Sequence, residues 1–180
     1  HHPTLRRQRQ MCIRDRGKEV DLSQIDSEII FEWSNLECPY VKRHYGSNNM
    51  QTTQKFAKSK NVIWITVISS AEGKQGYIQP NDAVNTFASF GSFPDHILVD
   101  ENGDLGKKFN AKTTPHIFIA DKNKNIVYQG AIDDAGGSRF WTTDLNQSTN
   151  FVKKVVNDIK SNKPLSVSKT RPYGCSVKYG

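Results

Sequence analysis

No apolar run in this chain approaches the roughly 20 residues that would cross a bilayer. Its first residues are His and Arg rather than an apolar core, so no signal peptide is visible. Cysteine is scarce, at three residues, and no set of Cys and His has the spacing of a zinc site. Asp133, Asp134 and Asp144 lack the alternating ligands and glycine of a calcium loop. They read as turn acids, and no metal is expected. GKQG (73–76) lacks the pattern of a phosphate loop and reads as a plain turn. Internal repeats and low-complexity blocks are also missing. What is present is one domain's worth of chain: 180 residues, 36% hydrophobic and 24% charged, an ordinary globular composition.

A formal net charge of +7 points toward nucleic acid or an anionic membrane until its distribution is considered. Residues 1–16, HHPTLRRQRQMCIRDR, hold five arginines against Asp15, which is more than half of the excess. The remainder is lysine-rich with both signs interspersed, a solvated surface. The leader has no hydrophobic period, and RRQRQMCIRDR resembles a translated sequencing-adapter read. It is therefore expected to be non-native, with a natural basic arm and an expression tag as the other readings. On that reading Cys12 is foreign, the native start is lost, and neither a nucleic acid nor a membrane is a partner.

From Gly17 onward, strands and helices alternate. GKEVDLSQ reads as a polar strand or hairpin remnant, and SEIIFEW (27–33) as a strand buried on both faces. CPYVKRHY starts a helix with Pro39 in its first turn. Gly46 interrupts that helix and NNMQTTQKFAKSK continues it. NVIWITVI (61–68) is a β-branched strand. PNDAVNTFASF (80–90) is a helix behind a capping Asn81 or Asp82. DHILVD (95–100) is a short strand, LGKKFN a short helix, and PHIFIAD with NIVYQGA a hairpin across KNKN. FVKKVVNDIK (151–160) is amphipathic, with Phe151, Val152, Val155, Val156 and Ile159 on one face. A tail without period follows. The order implies an α/β domain over residues 17–164, with parallel central strands, antiparallel edges and helices on both faces, then a tail over 165–180.

Cys38 ends a strand and opens a helix, where orphan N–H groups and the positive end of the helix dipole favour a thiolate. Open α/β sheets also place their crevice at the carboxyl ends of strands. A buried structural thiol is the plainer alternative. In TTPH (113–116), a proline at the entrance to an apolar strand removes a ladder hydrogen bond, and a cis Thr114–Pro115 bond would account for it. Glu32, inside an apolar strand, is either paired or held neutral by burial, or else faces solvent at an edge. His44 and Tyr45 read as helix packing, and His116 as lining the site or facing solvent.

The stretches WSNLECPYVKRHY, ISSAEGKQGY, KTTPH, YQGAIDD and YGCSVKY together resemble the peroxiredoxin-like branch of the AhpC/TSA (redoxin) superfamily, of thioredoxin-like fold. The resemblance covers nearly all of the chain from Gly17. It implies that Cys38 is the attacking cysteine, with Val41 where a C-x-x-C motif would carry its second. It also implies that Glu32 is the buried proton-relaying acid, and that Pro39, Thr114, Pro115 and Asn35 border the substrate. Asn35 stands where typical peroxiredoxins keep Thr or Ser, and Phe31 where they keep a proline. Arg43 and Arg139 are the candidates for the arginine of such a site. Cys175 is the candidate to resolve an oxidised Cys38, with a partner thiol or glutathione as the other means.

The expected activity is thus a thiol-dependent oxidoreductase acting on a peroxide or disulfide, without a dissociable cofactor and recharged by an external thiol reductant. The rival is a non-catalytic module holding a peptide or redox partner in the cis-proline groove. Related proteins often carry export signals, which slightly favours an extracytoplasmic location.

Overall fold

In the computed structural model, which describes residues 12–15, 18–136 and 144–180, the chain opens on an antiparallel ladder of β1 (Cys12–Asp15) and β2 (Lys18–Asp21). A 3-10 turn over Leu22–Gln24 follows, its first N–H groups capped by the Asp21 carboxylate, which accepts from Ser23 N at 2.9 Å. β3 (Ile29–Trp33) is buried along its whole length, as a run that is apolar apart from Glu32 leads one to expect for a central strand. Next come α1 (Pro39–Gly46) and α2 (Asn49–Ser59). The break expected at Gly46 falls just after it, at Ser47 and Asn48, with Gly46 the last residue of α1; the turning residue is Asn48, at φ 62°, since Asn tolerates left-handed backbone better than most side chains.

β4 (Ile63–Ile68), α3 (Ala83–Ser89), β5 (His96–Val99) and α4 (Asp104–Phe109) continue the alternation. Asp82 occupies the N-cap position of α3, but its side chain makes no capping hydrogen bond. β6 (Thr113–Thr114) leads through a cis Thr114–Pro115 bond into β7 (His116–Ala120), which forms a hairpin with β8 (Ile126–Gly130). α5 (Phe151–Lys160) has the bounds its amphipathic pattern marks, and Asn150 caps it by accepting from Lys153 N at 2.9 Å. β9 (Cys175–Ser176) lies in the tail.

The central sheet runs β5-β4-β3-β7-β8. β3 pairs parallel with β4, and β4 with β5, whereas β7 is antiparallel to both β3 and β8. Helices cover both faces. One core gathers Ile30, Trp64, Ile117 and Tyr128 of the sheet with Val41, Met50, Phe87 and Val152 of α1, α2, α3 and α5. The other packs Phe31, Trp33, Ile65 and Phe118 against Phe109 of α4 and Leu22. The expected architecture holds, with one correction. Antiparallel pairing is confined to the β3-β7-β8 side, so it enters the centre at β3–β7, and the β5 edge is parallel because it is reached through a helical crossover, which returns a strand in the parallel sense.

The tail, without period in sequence, is held by its backbone. Thr170 N donates to Gln129 O at 3.1 Å and Gln129 N to Ser168 O at 3.2 Å, so the tail first lines the β8 edge. It then pairs antiparallel with β6, Thr114 opposite Cys175. Beyond this, Val177 N donates to Lys112 O (3.1 Å) and Ala71 N to Lys178 O (2.9 Å). Tyr179 donates its hydroxyl to Ala111 O at 2.8 Å. Its ring lies so close to Gly106 that a Cβ there would stand 2.5 Å from the hydroxyl oxygen.

Candidate active site

The site forms at the carboxyl end of β3, where the strand turns into α1. Cys38 is the N-cap of α1 and Pro39 its first helical residue, so the absent proline N–H forfeits no helical bond. Cys38 N donates to Asn35 O at 2.9 Å. The Asn35 side chain shapes the same turn, its Oδ1 accepting from Glu37 N at 2.9 Å and its Nδ2 donating to Gln75 O at 3.1 Å. Gly76 must pass it at φ +80°, where a Cβ would lie 2.1 Å from Asn35 Oδ1.

Cys38 is fully buried and Cys175 partly so; both are free thiols. Cys38 Sγ donates to the carbonyl of Thr114 at 3.1 Å and lies 2.8 Å from Cys175 Sγ. The β6–β9 pairing makes this meeting possible, and Gly174 permits the pairing. At φ +142°, a Cβ there would sit 2.1 Å from Thr114 O. Burial, then the adjoining Cys38 sulfur, push the Cys175 thiol up to about 12. The Thr114 hydroxyl is buried without a hydrogen-bond partner. The structure thus brings Cys38, Cys175, Thr114 and Pro115 together, with Pro39 and Asn35 framing the sulfur's own turn.

Glu32 lies deeper. It is wholly buried, so the edge reading does not hold; β3 is central and β4 and β7 flank it on both sides. Its Oε2 accepts from Trp64 Nε1 (3.0 Å), Thr66 Oγ1 (3.2 Å) and Gln54 Nε2 (3.4 Å), and its Oε1 from Tyr45 Oη (3.2 Å). Burial raises its pKa against the pull of these donors. They satisfy the carboxyl group within the core, as a buried acid requires.

A second buried polar group was not legible in the sequence. Asp133, read as a turn acid, is 1% exposed. It accepts from Asn49 Nδ2 at 3.0 Å, and from the tail hydroxyl of Tyr173. His44 is fully buried beside it, with Nδ1 2.9 Å from Asn49 Nδ2 and Nε2 3.1 Å from Tyr173 Oη. Burial holds that imidazole down at about 4, against the attraction of Asp133. His44 therefore does more than pack a helix face. His116 is buried as well, its ring centre 4.4 Å from that of Phe118 with the planes tilted by 41°, and it accepts from Lys112 N at 3.2 Å. Of the two arginines considered, Arg43 is on α1 and contributes positive charge near His44 and Tyr173; Arg139 lies outside the described residues.

Among the described residues, no three His, Cys, Asp or Glu side chains come together as metal ligands would, and no helix is long and apolar enough to cross a membrane. A cleft of about 680 Å³ opens beside the tail, bordered by Tyr40, Thr113, Asp133 and Tyr173.

A family model described as Redoxin matches residues 10–141. No curated protein matches the sequence significantly. Among solved structures, an uncharacterized conserved protein from Geobacillus kaustophilus superposes with a TM-score of 0.80 at 20% identity, over 99% of this chain and 92% of its own. A hypothetical protein from Sinorhizobium meliloti 1021 gives 0.78 at 18% identity, over 96% and 92%. A thioredoxin-like protein from Aeropyrum pernix gives 0.55 at 21% identity, over 70% and 83%. At these identities the likeness is one of fold.

Proposed function

The chain belongs to the redoxin family, and from that premise we propose that it is a thiol-dependent oxidoreductase in which Cys38 attacks a peroxide or a disulfide and Cys175 resolves the product. The observation that carries this reading is the 2.8 Å separation of two free sulfurs that lie 137 residues apart in sequence. With a peroxide, the Cys38 thiolate takes the distal oxygen and becomes a sulfenic acid, while the alkoxide or hydroxide leaves and is protonated. Cys175 then attacks that sulfur, expelling water and forming a Cys38–Cys175 disulfide. With a disulfide, Cys38 first forms a mixed disulfide and releases one thiolate, and Cys175 displaces the second. In either case two electrons leave the chain, and an external dithiol, or two equivalents of a monothiol such as glutathione, returns them.

Thr114 and Pro115 border this sulfur, and the unpartnered Thr114 hydroxyl is a donor for a bound oxygen or sulfur. Glu32 sits behind the site as a carboxyl that burial favours in its neutral form, suited to holding a proton. The passive alternative, a module that grips a foreign strand beside Pro115, has less support, because the β6 edge it needs is paired with the chain's own Cys175 and Ser176. The resemblance to a family with exported members slightly favours an extracytoplasmic location, and fractionation of a native host would test it.

Reduced protein treated with hydrogen peroxide, or with a small disulfide, should yield a Cys38–Cys175 peptide on mapping. Cys38→Ser should lose turnover entirely, and Cys175→Ser should stop at the sulfenic acid or mixed disulfide. A Cys38 left unmodified by millimolar peroxide and disulfide alike would overturn the reading. The resolving step should also accelerate as pH rises into the alkaline range, because burial by itself holds the Cys175 thiol above its ordinary value and it attacks as thiolate.

A further inference from the structure

Asp133, Tyr173, His44 and Asn49 close a ring of hydrogen bonds, and only one of them belongs to the tail. The ring's polarity can be worked out. A carboxylate only accepts, so the Asn49 atom 3.0 Å from Asp133 Oδ2 must be the amide nitrogen. That same nitrogen lies 2.9 Å from His44 Nδ1, so Nδ1 accepts and the imidazole proton is on Nε2. Nε2 therefore donates to Tyr173 Oη, and Tyr173 donates its own proton to Asp133 Oδ1. Every donor and acceptor facing the ring is used, provided the tyrosine is in place.

Tyr173 lies two residues before Cys175, and the tail it belongs to covers the sulfur of Cys38, which is 0% exposed. Any external substrate must reach that sulfur. Around this point the tail is otherwise held by β9, only two residues long, by the Val177 N–Lys112 O bond beside it, and by the Tyr173 ring edge-on to Tyr40 at 6.1 Å. Lifting the tail would take the hydroxyl donor from a buried carboxylate, which keeps Asn49 Nδ2 and Ala135 N at 3.0 and 3.1 Å, and the acceptor from the Nε2 of a buried imidazole, so the ring adds to the ladder bonds that oppose opening.

We propose that Tyr173 is a positioning residue: its hydroxyl latches the tail to Asp133 and His44, keeps Cys175 over Cys38, and sets how often Cys38 is uncovered for substrate. This rests on Cys38 being the reacting atom. The latch is tested in the full chain carrying Cys12→Ser and Cys175→Ser, where iodoacetamide can report on Cys38 alone. Adding Tyr173→Phe keeps the ring and removes the hydroxyl. Alkylation of Cys38 should then speed up roughly tenfold or more, the scale of one hydrogen bond to a buried charged group, and low urea should leave the rate unchanged because the opening is local. Ile29→Val, a core change at the far end of β3, serves as a matched destabilisation and should not alter the rate. An unchanged rate in Tyr173→Phe, or equal acceleration by Ile29→Val, would overturn the proposal. Failure of the functional reading has a different signature: the unmutated chain oxidised with diamide would carry no Cys38–Cys175 disulfide, whatever Tyr173→Phe does to alkylation.

Discussion

Neighbouring residues on α1 enter two different buried polar networks. Tyr45 reaches Glu32, along with Gln54, Trp64 and Thr66, and all of these belong to β3, β4, α1 and α2. His44 reaches Asp133, Asn49 and Tyr173, and here one member arrives from a tail without regular structure. Both networks satisfy a buried acid, but they differ in what it takes to open them. The Glu32 network can be broken only by separating strands of the central sheet, whereas the Asp133 network parts when a short segment lifts. The first belongs to global stability and the second to a local equilibrium.

The sharpest way to separate them is to disturb the tail without touching the core. Gly174→Val adds a side chain where even a Cβ meets Thr114 O at 2.1 Å, on backbone at φ +142°. It should slow Cys38–Cys175 disulfide formation at least tenfold by displacing β9, with the thermal midpoint nearly unchanged; quenched-flow mapping and calorimetry would check both. Next in size is Tyr45→Phe, the inner counterpart of the tail substitution. It removes a donor to the Glu32 carboxyl and should lower unfolding free energy by about 1–3 kcal/mol, while Cys38 alkylation stays at the parental rate. Equal effects of the two tyrosines on alkylation would erase the distinction between the networks.

The smallest effect is a change of shape in a pH profile. Glu32 has its pKa raised above 4.5 by burial, so the folded chain keeps this proton to higher pH than the unfolded chain does. Its contribution to stability is therefore full below about 4.5 and is lost as pH rises through the folded-state value. Glu32→Gln, which keeps the shape without the charge, should flatten that decline and leave the protein more stable at neutral pH. Denaturant titrations from pH 4 to 8 would show it.

The sequence made the sheet and its helices legible where one pattern dominates a stretch. β3 and β4 are runs that are apolar apart from Glu32 and Thr66, and α5 repeats its apolar residues at helical spacing. The place of Cys38 was legible too, because Pro39 marks a helix start and Pro115 a strand entrance. Asp133 was not, since nothing in YQGAIDDAGG distinguishes an acid that turns a loop from one that a residue forty positions later will bury. The pairing of β6 with β9 was equally hidden. Two-residue strands carry no period, and their partners are set by long-range packing rather than local preference. The parallel β5 edge was missed because its crossover is a short helix followed by an irregular turn.

The tail is fixed on both sides of its cysteine, by Thr170, whose Oγ1 accepts from Ala131 N at 2.9 Å, and by Tyr179 on Ala111 O. A segment pinned twice can bow outward but cannot diffuse away. Even fully drawn out, the five residues from Thr170 keep Cys175 within about 17 Å of its anchor. That confinement amounts to a local thiol concentration of order millimolar or above, so on the proposed function Cys175 would stand first in line for an oxidised Cys38, and an outside thiol would compete only at comparable abundance.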